Sequence, residues 1–188
     1  MTCIVGFCNE KTMVMGGDSA AVGGLELTIR KDPKVFSLKQ INGPNLLVGF
    51  TSSFRMGQLL MTMEVPQDES NGEKPFEFMI KKFIPEVRAI LKKGGFTTIK
   101  ENEEIGGSFL VGYRGNIFNI ENDFQVGYPA SPYYAVGCGA PYALGAMDIL
   151  IKTNLKDYEL MVKTALAVAE CRSAGVRRPF NILKIDFT

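Results

Sequence analysis

The chain has 188 residues, 46% hydrophobic and 22% charged, a balance expected of one globular domain spanning 1–188 with a sizeable core. Its 21 basic and 20 acidic residues give a net charge of +1, and the longest basic run, "RKDPK", is short and mixed in sign, so no nucleic-acid partner is expected. With no histidine and no close cysteine pair, the composition argues against a zinc or haem site, and no cofactor is expected.

In chain order, residues 2–7 are apolar and β-prone, "CNEK" supplies a turn, and residues 12–15 return as a second strand. The first charge is Glu10 and no basic segment precedes an apolar one, so no secretory leader is expected. "KVFSL" and "NLLVGFT" give two more strands around the turn signal "NGP". One helix is predicted over 53–63. Another starts near Pro75, where Phe76, Met79, Ile80, Phe83, Val87, Ile90 and Leu91 recur at three- and four-residue steps. Pro85 falls inside that stripe and predicts a kink, and "LKKGG" ends the helix with basic residues and glycines.

"KENEEIGG" reads as a charged loop leading into strands "SFLVGY" and "NIFNIE", joined by the turn "RGN". Residues 126–147 carry no charge, but Pro129, Pro132 and Pro141 interrupt them, so a membrane helix is not expected. Helices over 140–152 and 157–171 and a last strand, "FNILKIDF", complete the chain. This order is satisfied by an α+β fold in which two helical layers cover the outer faces of stacked sheets. Cys3, Cys8, Cys138 and Cys171 are expected to be reduced and mostly buried in a cytoplasmic protein, with Cys3 and Cys8, an odd step apart, on opposite faces of one strand.

Without histidine, Ser–His–Asp and Cys–His arrangements are impossible. A hydroxyl nucleophile then needs a lysine or a free terminal amine to activate it. Thr2 follows Met1, and loss of Met1 exposes an amine beside the Thr2 hydroxyl. An unperturbed α-amino group titrates near ~7.7–8.0 and serves as a base at neutral pH. Asp18 closes "MVMGGDS" and Lys34 opens "KVFSL". Taken singly, Asp18 and Lys34 suit a structural ion pair; their joint register with Thr2 points to catalysis. Arg30 and Lys31 compete with Lys34 for the role of cation, and the strand start favours Lys34. Cys3 becomes a terminal nucleophile only if Thr2 is lost as well, so it reads as a buried strand residue.

An N-terminal threonine, a G-D-S strand end and a lysine opening a K-V strand together resemble the proteasome β-subunit group of N-terminal-nucleophile hydrolases. "LLVGFTSS" is similar to the oxyanion-side segment, its Gly-Phe start being closer to the bacterial HslV-type peptidase. "GGSFLVGYRGNIFNIE" is similar to the mid-chain hairpin, and "YAVGCGAPYALGAMD" to the segment entering the third helix. The resemblance implies a four-layer αββα sandwich. It also implies Thr2 as nucleophile with its own amine as base, Lys34 lowering the proton affinity of the hydroxyl, and Asp18 orienting Lys34. The Ser52 N–H, where the family usually has glycine, would face the oxyanion.

Cys138 stands where the family carries a serine in "G-S-G", and "AECRSAGVRRPF" offers Ser173 but no acid. Phe50 and Phe54 flank the oxyanion segment and are candidates for a substrate pocket, with core packing an equal alternative for two aromatics. The implied activity is peptide-bond hydrolysis through an acyl-enzyme, in a homo-oligomeric ring that receives polypeptide from an ATP-dependent unfoldase. Two alternatives stand beside it: an amidohydrolase using the same residues on a small amide, and a non-catalytic ring subunit, which Cys138 and the absent acid keep open.

Overall fold

The computed structural model describes residues 1–70 and 72–187. Its first half forms strands β1 (Ile4–Cys8), β2 (Thr12–Gly17), β3 (Ala20–Gly23), β4 (Glu26–Ile29), β5 (Val35–Leu38) and β6 (Leu46–Phe50), then helices α1 (Phe54–Met61), α2 (Pro75–Phe78) and α3 (Ile84–Lys93). Strands β7 (Thr98–Lys100), β8 (Glu103–Ile105), β9 (Phe109–Tyr113), β10 (Asn116–Ile120), β11 (Val126–Gly127) and β12 (Tyr133–Val136) follow. Helices α4 (Ala140–Leu150) and α5 (Tyr158–Arg172) and strand β13 (Asn181–Asp186) end the order.

Alternation along β1 and β2 builds the layers. Both strands are buried throughout, because each face meets a different core. Cys3, Val5, Phe7 and Val14 pack against α4 and α5 through Ala143, Met147, Val162, Ala165 and Ala169. Ile4, Cys8, Met13 and Met15 pack instead against Val35, Leu47, Leu110 and Ile117 of a second sheet. Cys3 and Cys8 thus point opposite ways, as their odd spacing requires. The first sheet has the order β12-β1-β2-β13 and the second β11-β10-β9-β6-β5, each antiparallel throughout. The outer face of the second sheet lies under α1 to α3, in a core rich in phenylalanine. The stack is helix, sheet, sheet, helix. No helix among the described residues is long and apolar enough to cross a membrane.

Local chemistry sets the helix ends. Ser53 caps α1 by accepting from the Arg55 N–H at 3.1 Å, and Asp157 caps α5 by accepting from Leu160 at 2.9 Å. The kink expected at Pro85 takes the form of a π-helical turn, Met79–Phe83, just before α3. Proline has no N–H and its ring collides with the carbonyl four residues back; a widened turn absorbs both defects.

Three features depart from the sequence reading. The segment after Asp18 forms the β3–β4 hairpin, turning at Gly24 with φ +59°. The charged stretch read as a loop contains β8 and the last residue of β7, which pair as a small hairpin. Tyr133–Val136, inside the uncharged segment, is the edge strand of the first sheet. The hairpin is exposed from Gly23 through Ile29 and the β7–β8 pair lies mostly at the surface, so neither carries the buried apolar face by which a strand is usually recognised.

Candidate active site

Two strand ends and a strand start meet at one end of the sandwich. Ile4 pairs with Gly17, which brings Thr2, before β1, beside Asp18, after β2; the Asp18 N–H donates to the Cys3 carbonyl at 3.3 Å. Lys34 enters from the opposite sheet, immediately before β5. Gly17 lets the sheets close here: a Cβ on it would lie 2.8 Å from Ile4 Cδ1 and 3.0 Å from Val35 Cγ2.

The three side chains form a buried polar group. Lys34 Nζ donates to Thr2 Oγ1 at 3.0 Å and to Asp18 Oδ1 at 3.0 Å. Thr2 is 5% exposed and Asp18 and Lys34 are each 1% exposed. Asp18 also accepts from backbone N–H groups, Cys3 on Oδ1 at 2.9 Å, and Ala20 at 2.9 Å and Arg177 at 3.3 Å on Oδ2. Four donors therefore fill its four acceptor positions. A buried ion pair holds only if such bonds offset the loss of water. Burial pushes the Lys34 ammonium below its ordinary value, and the Asp18 carboxylate opposes that shift.

Thr2 is fixed on its backbone side as well. Its N–H donates to Cys138 Sγ at 3.3 Å, and Ser173 Oγ lies 3.3 Å from the same sulfur. Its carbonyl accepts from Gly139 N at 3.2 Å. Gly137, at φ +100°, runs so close that a Cβ would sit 2.2 Å from the Thr2 carbonyl oxygen; only glycine suits both constraints. The Thr2 hydroxyl donates to the Met1 carbonyl at 2.5 Å. Cys138 was expected among buried thiols, but it is exposed, as is Cys171. Residues 137–139 turn at the sheet end toward α4, where the thiol faces outward over Thr2. Cys3 and Cys8 are buried, which pushes both thiols up, Cys8 to about 12, and leaves Cys3 unreactive.

Ser52 follows β6 at φ +63°, a conformation uncommon outside glycine. Its hydroxyl accepts from Ser108 N at 3.2 Å, which pins the residue, while among the described residues its own N–H donates no hydrogen bond. It borders a cavity of about 260 Å³ shared with Met1, Thr2, Ser53 and Phe54. Phe54 forms a wall, its ring 4.2 Å from the Arg30 guanidinium. Arg30, a competitor of Lys34 in the sequence, is bound to Asp32 by two 2.7 Å bonds. Phe50 touches the cavity, but it is 2% exposed and its ring packs under α1, 2.2 Å from where a Gly57 Cβ would lie.

Sequence reasoning missed two contributors. The far wall of the cavity is the β3–β4 hairpin, with Ala21, Gly23, Glu26 and Thr28; "GG" between two short segments was its available signal. The Arg177 N–H on Asp18 had no signal, since a backbone donor is the same in every residue.

No protein-family model and no curated protein matches the chain. Solved structures do. The BPH protein of Thiobacillus denitrificans in complex with epoxomicin superposes with a TM-score of 0.77 at 16% identity, covering 99% of each chain. The chain has the N-terminal-nucleophile hydrolase fold. HslV from Trypanosoma brucei shares it with a TM-score of 0.71 at 18% identity, covering 98% of this chain and 99% of that one. Anbu from Yersinia bercovieri gives a TM-score of 0.71 at 14% identity over 98% of this chain and 81% of its own. In this N-terminal-nucleophile hydrolase fold, the Thr2–Asp18–Lys34 group lies at one end of the sandwich, where Gly17 lets the two sheets approach.

Proposed function

We propose that this chain is a threonine-type peptidase of the proteasome and HslV kind, cleaving polypeptides through an acyl-enzyme ester on Thr2. The observation that carries the reading is Lys34 Nζ at 3.0 Å from both Thr2 Oγ1 and Asp18 Oδ1, buried at the edge of a cavity. A buried ion pair gains little over apolar packing as a structural device, whereas beside a hydroxyl it favours the alkoxide.

With Met1 attached, the Thr2 nitrogen is an amide and no base. Once the Met1–Thr2 bond is hydrolysed, the neutral amine takes the Oγ proton through a water and Oγ attacks the peptide carbonyl. Lys34 stabilises the developing charge on Oγ, and the Ser52 N–H donates to the oxyanion. The carbon–nitrogen bond then breaks, and the leaving amine takes the proton held by the Thr2 ammonium. Water attacks the ester with the amine again as base, releasing the acid and restoring Thr2. Cys138 Sγ accepts from that nitrogen, and Ser173 Oγ in turn touches the sulfur. The proposal extends to a cytoplasmic homo-oligomeric ring that shields the sites and is fed by an ATP-dependent unfoldase. It requires no cofactor.

The test is the intact mass of protein from its native host before and after an epoxyketone, a reagent class to which the epoxomicin bound to the T. denitrificans protein belongs. The expected result is a chain starting at Thr2 with one adduct on that residue. A chain that still has a residue before Thr2 and takes no label defeats the reading. It supports instead a non-catalytic ring subunit, which the weak sulfur acceptor 3.3 Å from the Thr2 nitrogen favours. Cleavage of small acyl amides but of no peptide would point to the small-amide hydrolase.

A further inference from the structure

Pairing within the β3–β4 hairpin sets Ala21 opposite Thr28 and Gly23 opposite Glu26. Alternation puts these four residues on one face, which lines the cavity beside Thr2. Leu27 and Ile29 take the other face and are half-exposed. The cavity-side face is low at Ala21 and Gly23, and nothing lies within 4 Å of a Cβ built on Gly23. A side chain of a bound peptide has room to lie along it.

Two cations that touch the cavity lining, Lys34 at Thr2 and Arg30 at Phe54, are already paired. Lys34 is paired with Asp18 and Arg30 with Asp32. Glu26 is the one charged side chain in the cavity lining, and among the described residues it forms no ion pair. The N-terminus of α1 opens on the same cavity, but it amounts to roughly half a positive charge that fades within a turn, against a full negative charge on Glu26. Ser53 and Thr28 add hydroxyl acceptors to the same lining.

We infer that Glu26 determines specificity: the cavity takes a lysine or arginine side chain from one of the three residues preceding the scissile bond. The stem lies along Ala21 and Gly23 and the charge meets the Glu26 carboxylate. This rests on the peptidase reading of Thr2. The experiment is a fluorogenic peptide library varied at those three positions, run on protein already assayed for epoxyketone labelling. At one position, lysine or arginine is cleaved about tenfold better in kcat/KM than norleucine, which has the lysine stem without its ammonium, the size expected of one partly solvated charge contact. Glu26→Gln brings that ratio close to unity and Glu26→Lys inverts it.

A labelled enzyme that cuts peptides with no basic preference, or whose preference survives Glu26→Gln, overturns the role of Glu26 and leaves Thr2 untouched. If neither labelling nor cleavage occurs, the Thr2 reading falls and binding decides the matter. A calorimetric titration compares an amidated tripeptide carrying lysine with its norleucine counterpart, on the parent chain and on Glu26→Gln. Tighter binding of the lysine peptide that vanishes in Glu26→Gln sustains the cationic site. Equal binding of both peptides overturns it.

Discussion

Thr2, Asp18 and Lys34 lie between two sheets and are at most 5% exposed, whereas every residue of the β4 strand facing them across the cavity is exposed. The buried group is tied from three directions, by Cys3 just ahead of β1, by Ala20 at the start of β3 and by Arg177 in the segment beyond α5. The hairpin is fastened mainly at its base, where Ser19 N donates to the Arg177 carbonyl and Arg30 N to the Ser19 carbonyl, both at 2.9 Å. The two supports suit different tasks. Charged groups that must keep a fixed distance need a low-dielectric setting with every polar atom matched. A surface that chooses among side chains needs solvent access and tolerates change, because little packing depends on it.

The comparison breaks first at Lys34. Lys34→Met is expected to lower kcat/KM by roughly 10³-fold or more, since the charge beside the reacting oxygen is lost; steady-state assays on processed protein check it. On the proposed mechanism, activity in the parent chain needs the Thr2 amine neutral and Lys34 charged. The rate therefore rises with pH through the range of the amine and falls again where Lys34 loses its proton. Burial places that alkaline limb below the ordinary lysine value of 10.5, and Asp18→Asn, which removes the opposing carboxylate, moves it lower still.

Next in size is Gly137→Ala. The new Cβ meets the Thr2 carbonyl at 2.2 Å with φ at +100°, so a loss of about 3 kcal/mol is expected from strain and overpacking. Denaturant unfolding measures it, and activity falls alongside because Thr2 shifts. The smallest effect belongs to the hairpin tip. Leu25 is fully exposed, and Leu25→Ser is expected to change stability by no more than about 0.5 kcal/mol in the same experiment. A large loss at Leu25 would show that the hairpin is not a lightly held arm.

Much of this architecture was legible in the residue order. Alternation and helical stripes marked the strands and helices whose apolar faces are buried, and parity alone separated Cys3 from Cys8. Ser53 and Asp157 announced two helix starts. The register of Thr2, Asp18 and Lys34 singled out the residues that the fold brings together, Lys34 Nζ lying 3.0 Å from both of the others. These are properties of local pattern, and they survive in a one-dimensional string because backbone periods of two and 3.6 residues print themselves on it.

Only the tertiary structure decided the rest. Nothing in the order of residues put Glu26 and Thr28 on a cavity wall, since the apolar residues that alternate with them, Leu25, Leu27 and Ile29, are themselves exposed and mark no buried face. The outward turn of Cys138 depends on where the first sheet ends and α4 begins, and the Arg177 N–H reaches Asp18 across 159 residues of chain. Such contacts are made by a backbone donor, a glycine-sized gap and the meeting of two sheets. Their physical cause is packing in three dimensions, which residue identity constrains but does not spell out.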